Sequence, residues 1–181
     1  MRLQKIKYSF FLLLVVGVIS MAGFNSCGVY SFADVSIPDS IHTVRVNFFE
    51  NRAPYINPQL SPALTERVRQ RIINQTKLTQ TNSDNADYDI SAVITNYSVS
   101  TSGVSTTGEN GRSEASMNNL NVGVTVTLRN QKSGGEPQQY QVSRSFPFSA
   151  TLSLQAAESR LLDEIITNMT DDIFNRLFSN W

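Results

Sequence analysis

The 181-residue chain carries 15 Lys and Arg against 15 Asp and Glu, with one histidine, one cysteine and 40% hydrophobic residues. A formal net charge of zero supplies no global basic field to hold nucleic acid, and a lone cysteine forms no disulfide within the chain. A chain of this length buries a real core as one domain without such staples.

The first stretch, MRLQKIKYSFFLLLVVGVISMAGFNSC, sets the context for everything after it. Arg2, Lys5 and Lys7 form a positive head, residues 8–19 are almost unbroken apolar chain, and Ser26 places a small side chain before Cys27. That is the layout of a secretory signal peptide over residues 1–26. Gly17, Ser20 and Gly23 break the run short of the ~20 apolar residues that a spanning helix needs. Removing it takes away three cations and leaves 12 basic against 15 acidic residues, a net charge of about −3. The odd cysteine at the end of the apolar run then reads as an attachment point. Here the chain resembles a bacterial lipoprotein precursor, in which the thiol is acylated and the cysteine becomes the first mature residue. Phe24 and Asn25 depart from the usual lipobox and resemble its relaxed form in the Bacteroidetes group. Several acyl chains, at ~0.8 kcal/mol per buried CH2, make such an anchor effectively permanent.

Residues 27–42 form the lipidated cysteine and a tether rich in turn formers, with Pro38 arguing against a central strand. Residues 43–50 alternate, Val44, Val46 and Phe48 on one side, which predicts a half-buried strand. The two prolines and two asparagines of NRAPYINPQL make a loop, and Ser61-Pro62 marks a helix start. Leu64, Val68 and Ile72 give that helix a buried stripe, with Arg67, Arg69 and Arg71 on its flanks. A short strand at 77–81 and the turn SDNAD lead to a long strand at 88–99, bulged near Val93 because Tyr97 and Val99 change parity. The Ser/Thr/Gly/Asn-rich stretch after it reads as a mobile loop or extended hairpin tip. Strands at 121–130 and 138–149 follow, the latter at an edge because of Pro147. From Ser153, a candidate N-cap, to Ser179, apolar residues recur every four positions from Ala157 to Leu177, and Asp172 and Arg176 stand one turn apart.

The order β, α, β, β, β, β, α predicts an α+β two-layer sandwich, two helices packed on one face of a four- to five-stranded mixed or antiparallel sheet, in a single domain at 43–181. The Cys-Gly-Val-Tyr-Ser-Phe opening, the NPQLSPALTERVR helix, the ADYDISAVITNYSVS strand and the terminal DDIFNRLFSNW resemble the LptE family in its Bacteroidetes form. That resemblance implies an outer-membrane lipoprotein, facing the periplasm or a barrel lumen, that binds the β-barrel LptD, contacts lipopolysaccharide and helps place it in the outer leaflet. It brings no catalytic residue and no cofactor.

The residues themselves offer little chemistry. Beyond Cys27 and His42 there is no further thiol or imidazole, no phosphate-binding glycine loop and no Gly-x-Ser-x-Gly turn, so an enzyme is not expected. Asp84, Asp87 and Asp89 lack the spacing of a calcium loop and read as a turn running into a strand, so no metal is expected. A polyanionic lipid would be met by Arg or Lys. Of two basic sets, Arg67, Arg69 and Arg71 on the helix and Arg129, Lys132 and Arg144 near strand ends, the second is favoured, with Arg112 in the loop, because loops from one sheet end could reach a ligand together. Two other functions stand beside LptE: an accessory lipoprotein of an ABC-type lipid transporter or of peptidoglycan synthesis, and a surface lipoprotein binding glycans or proteins. Asp39-Ser40-Ile41 also resembles the O-glycosylation site used in Bacteroidetes.

Overall fold

The computed structural model describes residues 37–105 and 114–179, and side chains over 37–102 and 117–179. Six strands and two helices follow in the order β1 (Thr43–Val46), β2 (Glu50–Asn51), α1 (Leu60–Gln75), β3 (Thr79–Gln80), β4 (Tyr88–Ser105), β5 (Glu114–Asn130), β6 (Gln138–Ser149) and α2 (Leu154–Phe178). The sheet runs β3-β1-β4-β5-β6, with β2 also on β4. β1 is parallel to both its neighbours, and β4, β5 and β6 form an antiparallel meander. Both helices pack on one face, as the α+β reading requires. Ile90 and Ile94 of β4, Val124 and Val126 of β5 and Phe146 of β6 point into this layer and meet Leu64, Val68 and Ile72 of α1 and Ile165, Met169 and Ile173 of α2. Each such side chain contributes about 1.5–3 kcal/mol by leaving water.

The C-terminal helix matches its sequence reading down to the cap: Ser153 Oγ accepts from the N–H of Ala156 at 3.3 Å and Ser179 closes the far end. The first strand does not. β1 stops at Val46, Phe48 is 60% exposed, and Phe49 is the residue in the core, fully buried. Backbone contacts outside the strand shift the parity: Asn47 N donates to Ile90 O at 2.9 Å, and Phe49 N donates across to Thr65 Oγ1 of α1 at 3.0 Å. α1 begins at Leu60, ahead of the expected Ser61-Pro62 start, because Asn57 Oδ1 accepts from Gln59 N at 2.9 Å and turns the chain early. Pro62 still lies in the first turn, where a missing N–H costs nothing.

The β4 bulge falls at Thr95, between the Ile94↔Val124 and Asn96↔Gly123 pairs, while Val93 stays in register with Thr125. The extra residue turns Tyr97 onto the helix-covered face, where it is buried. Gly123 answers the bulge, since a Cβ there would stand 3.2 Å from Asn96 Cβ. Of the two readings of the polar stretch, a mobile loop or an extended hairpin tip, the described residues follow the second: pairing extends through Ser100↔Asn119 and Thr101↔Asn118 to Ser105↔Glu114. Main-chain bonds need no apolar side chains, and polar contacts help, as Asn121 Nδ2 donates to Ser100 Oγ at 2.9 Å. Residues 106–113, Arg112 among them, lie outside the described residues. β6 forms the edge that Pro147 announced.

Candidate functional site

Two regions of the sandwich concentrate polar side chains. The first lies where β4 begins. Asp87 Oδ2 accepts from the backbone N–H groups of His42 and Thr43 at 2.7 and 2.9 Å, Thr43 Oγ1 accepts from Asp87 N at 2.9 Å, and Lys132 Nζ stands 3.4 Å from Asp87 Oδ1. The two backbone N–H bonds, helped by the Thr43 hydroxyl and Lys132, hold the Asp87 carboxyl down at about 2. Next to it Arg45 forks onto Asp89 at 2.9 and 3.0 Å and also reaches Asp84. Arg45 and the Asn47 amide hold the Asp89 carboxyl below the usual range. The three aspartates are thus occupied by cations and amides that stitch β1 to β4, and no metal-holding cluster is found among the described residues.

The second region surrounds Glu158 in α2. The loop before α1 lays Tyr55 against Tyr97 with ring centroids 5.8 Å apart, and the bulge at Thr95 supplies the inward aim of Tyr97. Asn57 Nδ2 donates to Glu158 Oε1 at 3.2 Å and to the Tyr97 hydroxyl at 3.4 Å, while the Tyr55 hydroxyl donates to Glu158 Oε2 at 3.3 Å. Burial, reinforced by Glu158, pushes the Tyr97 phenol well up, and the Glu158 charge raises Tyr55. Tyr55, Asn57, Gln59, Gln155, Glu158 and Ser159 line a cavity of about 390 Å³ beside this cluster.

The basic residues expected to act together do not converge. Arg129 is exposed on the open sheet face, opposite Asp89 in the ladder. Lys132 sits in the β5–β6 turn and donates to Ser40 O as well as pairing with Asp87. Arg144 pairs with Val122, seven residues and therefore about 24 Å along β5 from Arg129, and it lies on the helix side of the edge. There its guanidinium makes two 2.9 Å contacts with Asp172. Asp172 therefore bonds across to the sheet and not to Arg176, whose guanidinium lies 5.7 Å from the Tyr140 ring centre. The helical set is also engaged: Arg67 and Arg71 reach Asp163 and Asp171 of α2 at 3.4 and 3.2 Å, and Arg69 reaches Glu66 at 2.5 Å. Ser40 is exposed in a turn, and Cys27 lies outside the described residues.

The Glu158 cluster was not singled out from sequence. A signal existed: Leu154, Glu158, Leu161 and Ile165 fall at helical stripe spacing, so the glutamate interrupts an apolar face.

A family model described as "LptE: Lipopolysaccharide-assembly" matches residues 41–177, all the secondary structure above but the last residue of α2. The chain belongs to the LptE family. It is a non-enzymatic outer-membrane lipoprotein of lipopolysaccharide assembly, lipid-anchored with its domain toward the periplasm. A comparison with curated proteins finds no match. Solved structures similar to this LptE-family chain include protein XCC0632 from Xanthomonas campestris, at 11% identity and TM-score 0.47, covering 78% of this chain and 88% of that one. The PelC dodecamer protein from Paraburkholderia phytofirmans is similar at 14% identity and TM-score 0.44, covering 77% and 90%. Rare lipoprotein B from Shewanella oneidensis is similar at 16% identity and TM-score 0.40, covering 75% and 90%. Likenesses at this level carry no functional weight.

Proposed function

We propose that the chain is held on the outer membrane through an acylated Cys27 and works bound to an LptD-type β-barrel, helping to place lipopolysaccharide in the outer leaflet. The observation that carries this reading is the family match over residues 41–177. The signal-peptide layout ending at Cys27 supports the anchor. Of the basic residues offered for lipopolysaccharide or barrel contact, Arg129 is the most available, because it is exposed and makes no ion pair among the described residues. Lys132 and Arg144 would have to leave Asp87 and Asp172 to reach a phosphate, and Arg112, outside the described residues, joins them as a candidate.

The test is affinity purification of the tagged full-length protein from outer membranes, with mass spectrometry of co-purifying proteins and of the N-terminal peptide. A large LptD-type barrel and a lipidated Cys27 are expected. Recovery of an inner-membrane transporter or a peptidoglycan synthase in its place would overturn the barrel partnership. Replacing Arg129, Lys132 and Arg144 together with alanine is expected to weaken lipopolysaccharide binding, and unchanged binding would remove these three as contacts.

A further inference from the structure

Glu158 presents an electrostatic imbalance. The residue is only 8% exposed, yet no ion pair among the described residues includes it. Its hydrogen-bond donors, Asn57 and Tyr55, are neutral, and the buried Tyr97 phenol stands against the same group. As the fifth residue of α2 it lies past the first turn, where the positive end of the helix dipole has faded. A carboxylate taken out of water without a cation costs stability, because neutral donors replace only part of its hydration. A cation arriving from outside would offset that cost.

The surroundings define that charge. The cavity beside Glu158 is lined by Tyr55, Asn57, Gln59 and Gln155 among others, an aromatic ring and three amide side chains of a kind that accepts a planar or compact cation. Apolar surface is exposed next to it in the chain: Tyr55, which lines the cavity, is 46% exposed, and Ile56, the residue after it, is 56% exposed. A free amine would fill the cavity and leave these side chains wet. A protein surface would cover them, with a basic side chain entering the cavity as the anchor and apolar neighbours excluding water around it. We propose that the Glu158 cavity is a docking socket for an arginine or lysine side chain presented by a partner polypeptide, with the carboxylate taking the charge and the Tyr55 ring taking its face. This goes beyond the lipopolysaccharide-assembly reading and holds whichever protein supplies the side chain.

The experiment uses the full-length protein in nonionic detergent with 13C-labelled tyrosine rings. The peptide Ac-Gly-Arg-Gly-NH2 is titrated against its citrulline counterpart, which has the same shape without the charge, and against ethanolamine. The arginine peptide is expected to shift the Tyr55 and Tyr97 resonances saturably in the millimolar range. Citrulline and the Glu158→Gln variant are expected to weaken binding by roughly tenfold or more. Tyr55→Ala, at a half-exposed position, is expected to weaken it as well. Absence of saturable shifts, equal binding of citrulline, or undiminished binding by Glu158→Gln would overturn the proposal, and ethanolamine binding as tightly as the peptide would overturn the polypeptide partner. Thermal unfolding supplies the independent check: Glu158→Gln is expected to melt at or above the wild-type temperature, and a clear drop would make the glutamate a structural group and the proposal wrong.

Discussion

Asp87 and Tyr97, the β4 residue beside Glu158, stand about 30 Å apart along the strand, and the protein treats the carboxylates of Asp87 and Glu158 in opposite ways. Asp87 receives two backbone N–H groups and a lysine, and through them it fastens β1 to the strand that follows it. Its charge is satisfied from within, and it stabilises the fold. Glu158 receives only neutral donors and faces a cavity. The contrast separates a carboxylate that builds the sandwich from one that the sandwich carries at a cost. Burial does not distinguish them, since both are largely shielded; the charge of the neighbours does.

Breaking the built end should have the largest effect. Asp87→Ala leaves the His42 and Thr43 N–H groups and Lys132 without their partner, and its chemical-denaturation midpoint should fall further than that of any variant below. The same carboxyl predicts a pH dependence. Its folded value of about 2 lies below the ~3.9 of an unfolded aspartate, so its stabilisation is present above pH ~4 and is lost as pH falls toward 2. Denaturation curves across that window should be flatter for Asp87→Asn than for wild type. Next comes Gly123→Val, which presses on Asn96 at the bulge that aims Tyr97, with an expected loss of about 1–3 kcal/mol in urea unfolding. Ser153→Ala removes the cap of the helix that bears Glu158 and should cost about 1 kcal/mol by the same assay. The smallest effect is expected from Glu158→Gln, whose midpoint should stay level or rise. A fall matching that of Asp87→Ala would erase the distinction between the two ends.

What the sequence made legible follows the range of the forces involved. α2 could be read to its cap because a four-residue apolar repeat and Ser153 are both local signals. The meander could be read because Val122, Val124, Val126 and Leu128 alternate within one strand. Phe48 and Phe49 exchanged roles because Thr65, on another element, takes the Phe49 N–H. Arg129 and Arg144 failed to converge because the β5–β6 register, set by pairing between strands, puts Arg144 opposite Val122 on the helix side, where Asp172 takes it. The Glu158 site was hidden because its neighbours, Tyr55, Asn57 and Tyr97, lie about 60–100 positions away, and only packing shows that they bring no cation with them.

The parallel seam between β1 and β4 has a consequence in time. Its partners are separated by about 44 positions, whereas β4, β5 and β6 follow one another through turns. Local pairings close fast and distant ones late, so the meander should zip first and β1 should be stitched in after it, with β3 joining the sheet through β1. A chain delivered from its N-terminus exposes β1 before any partner for it exists. Val44 and Val46 therefore lack their central-strand partners until residues 88–90 have emerged, with only the two-residue β3 to pair with β1 before that.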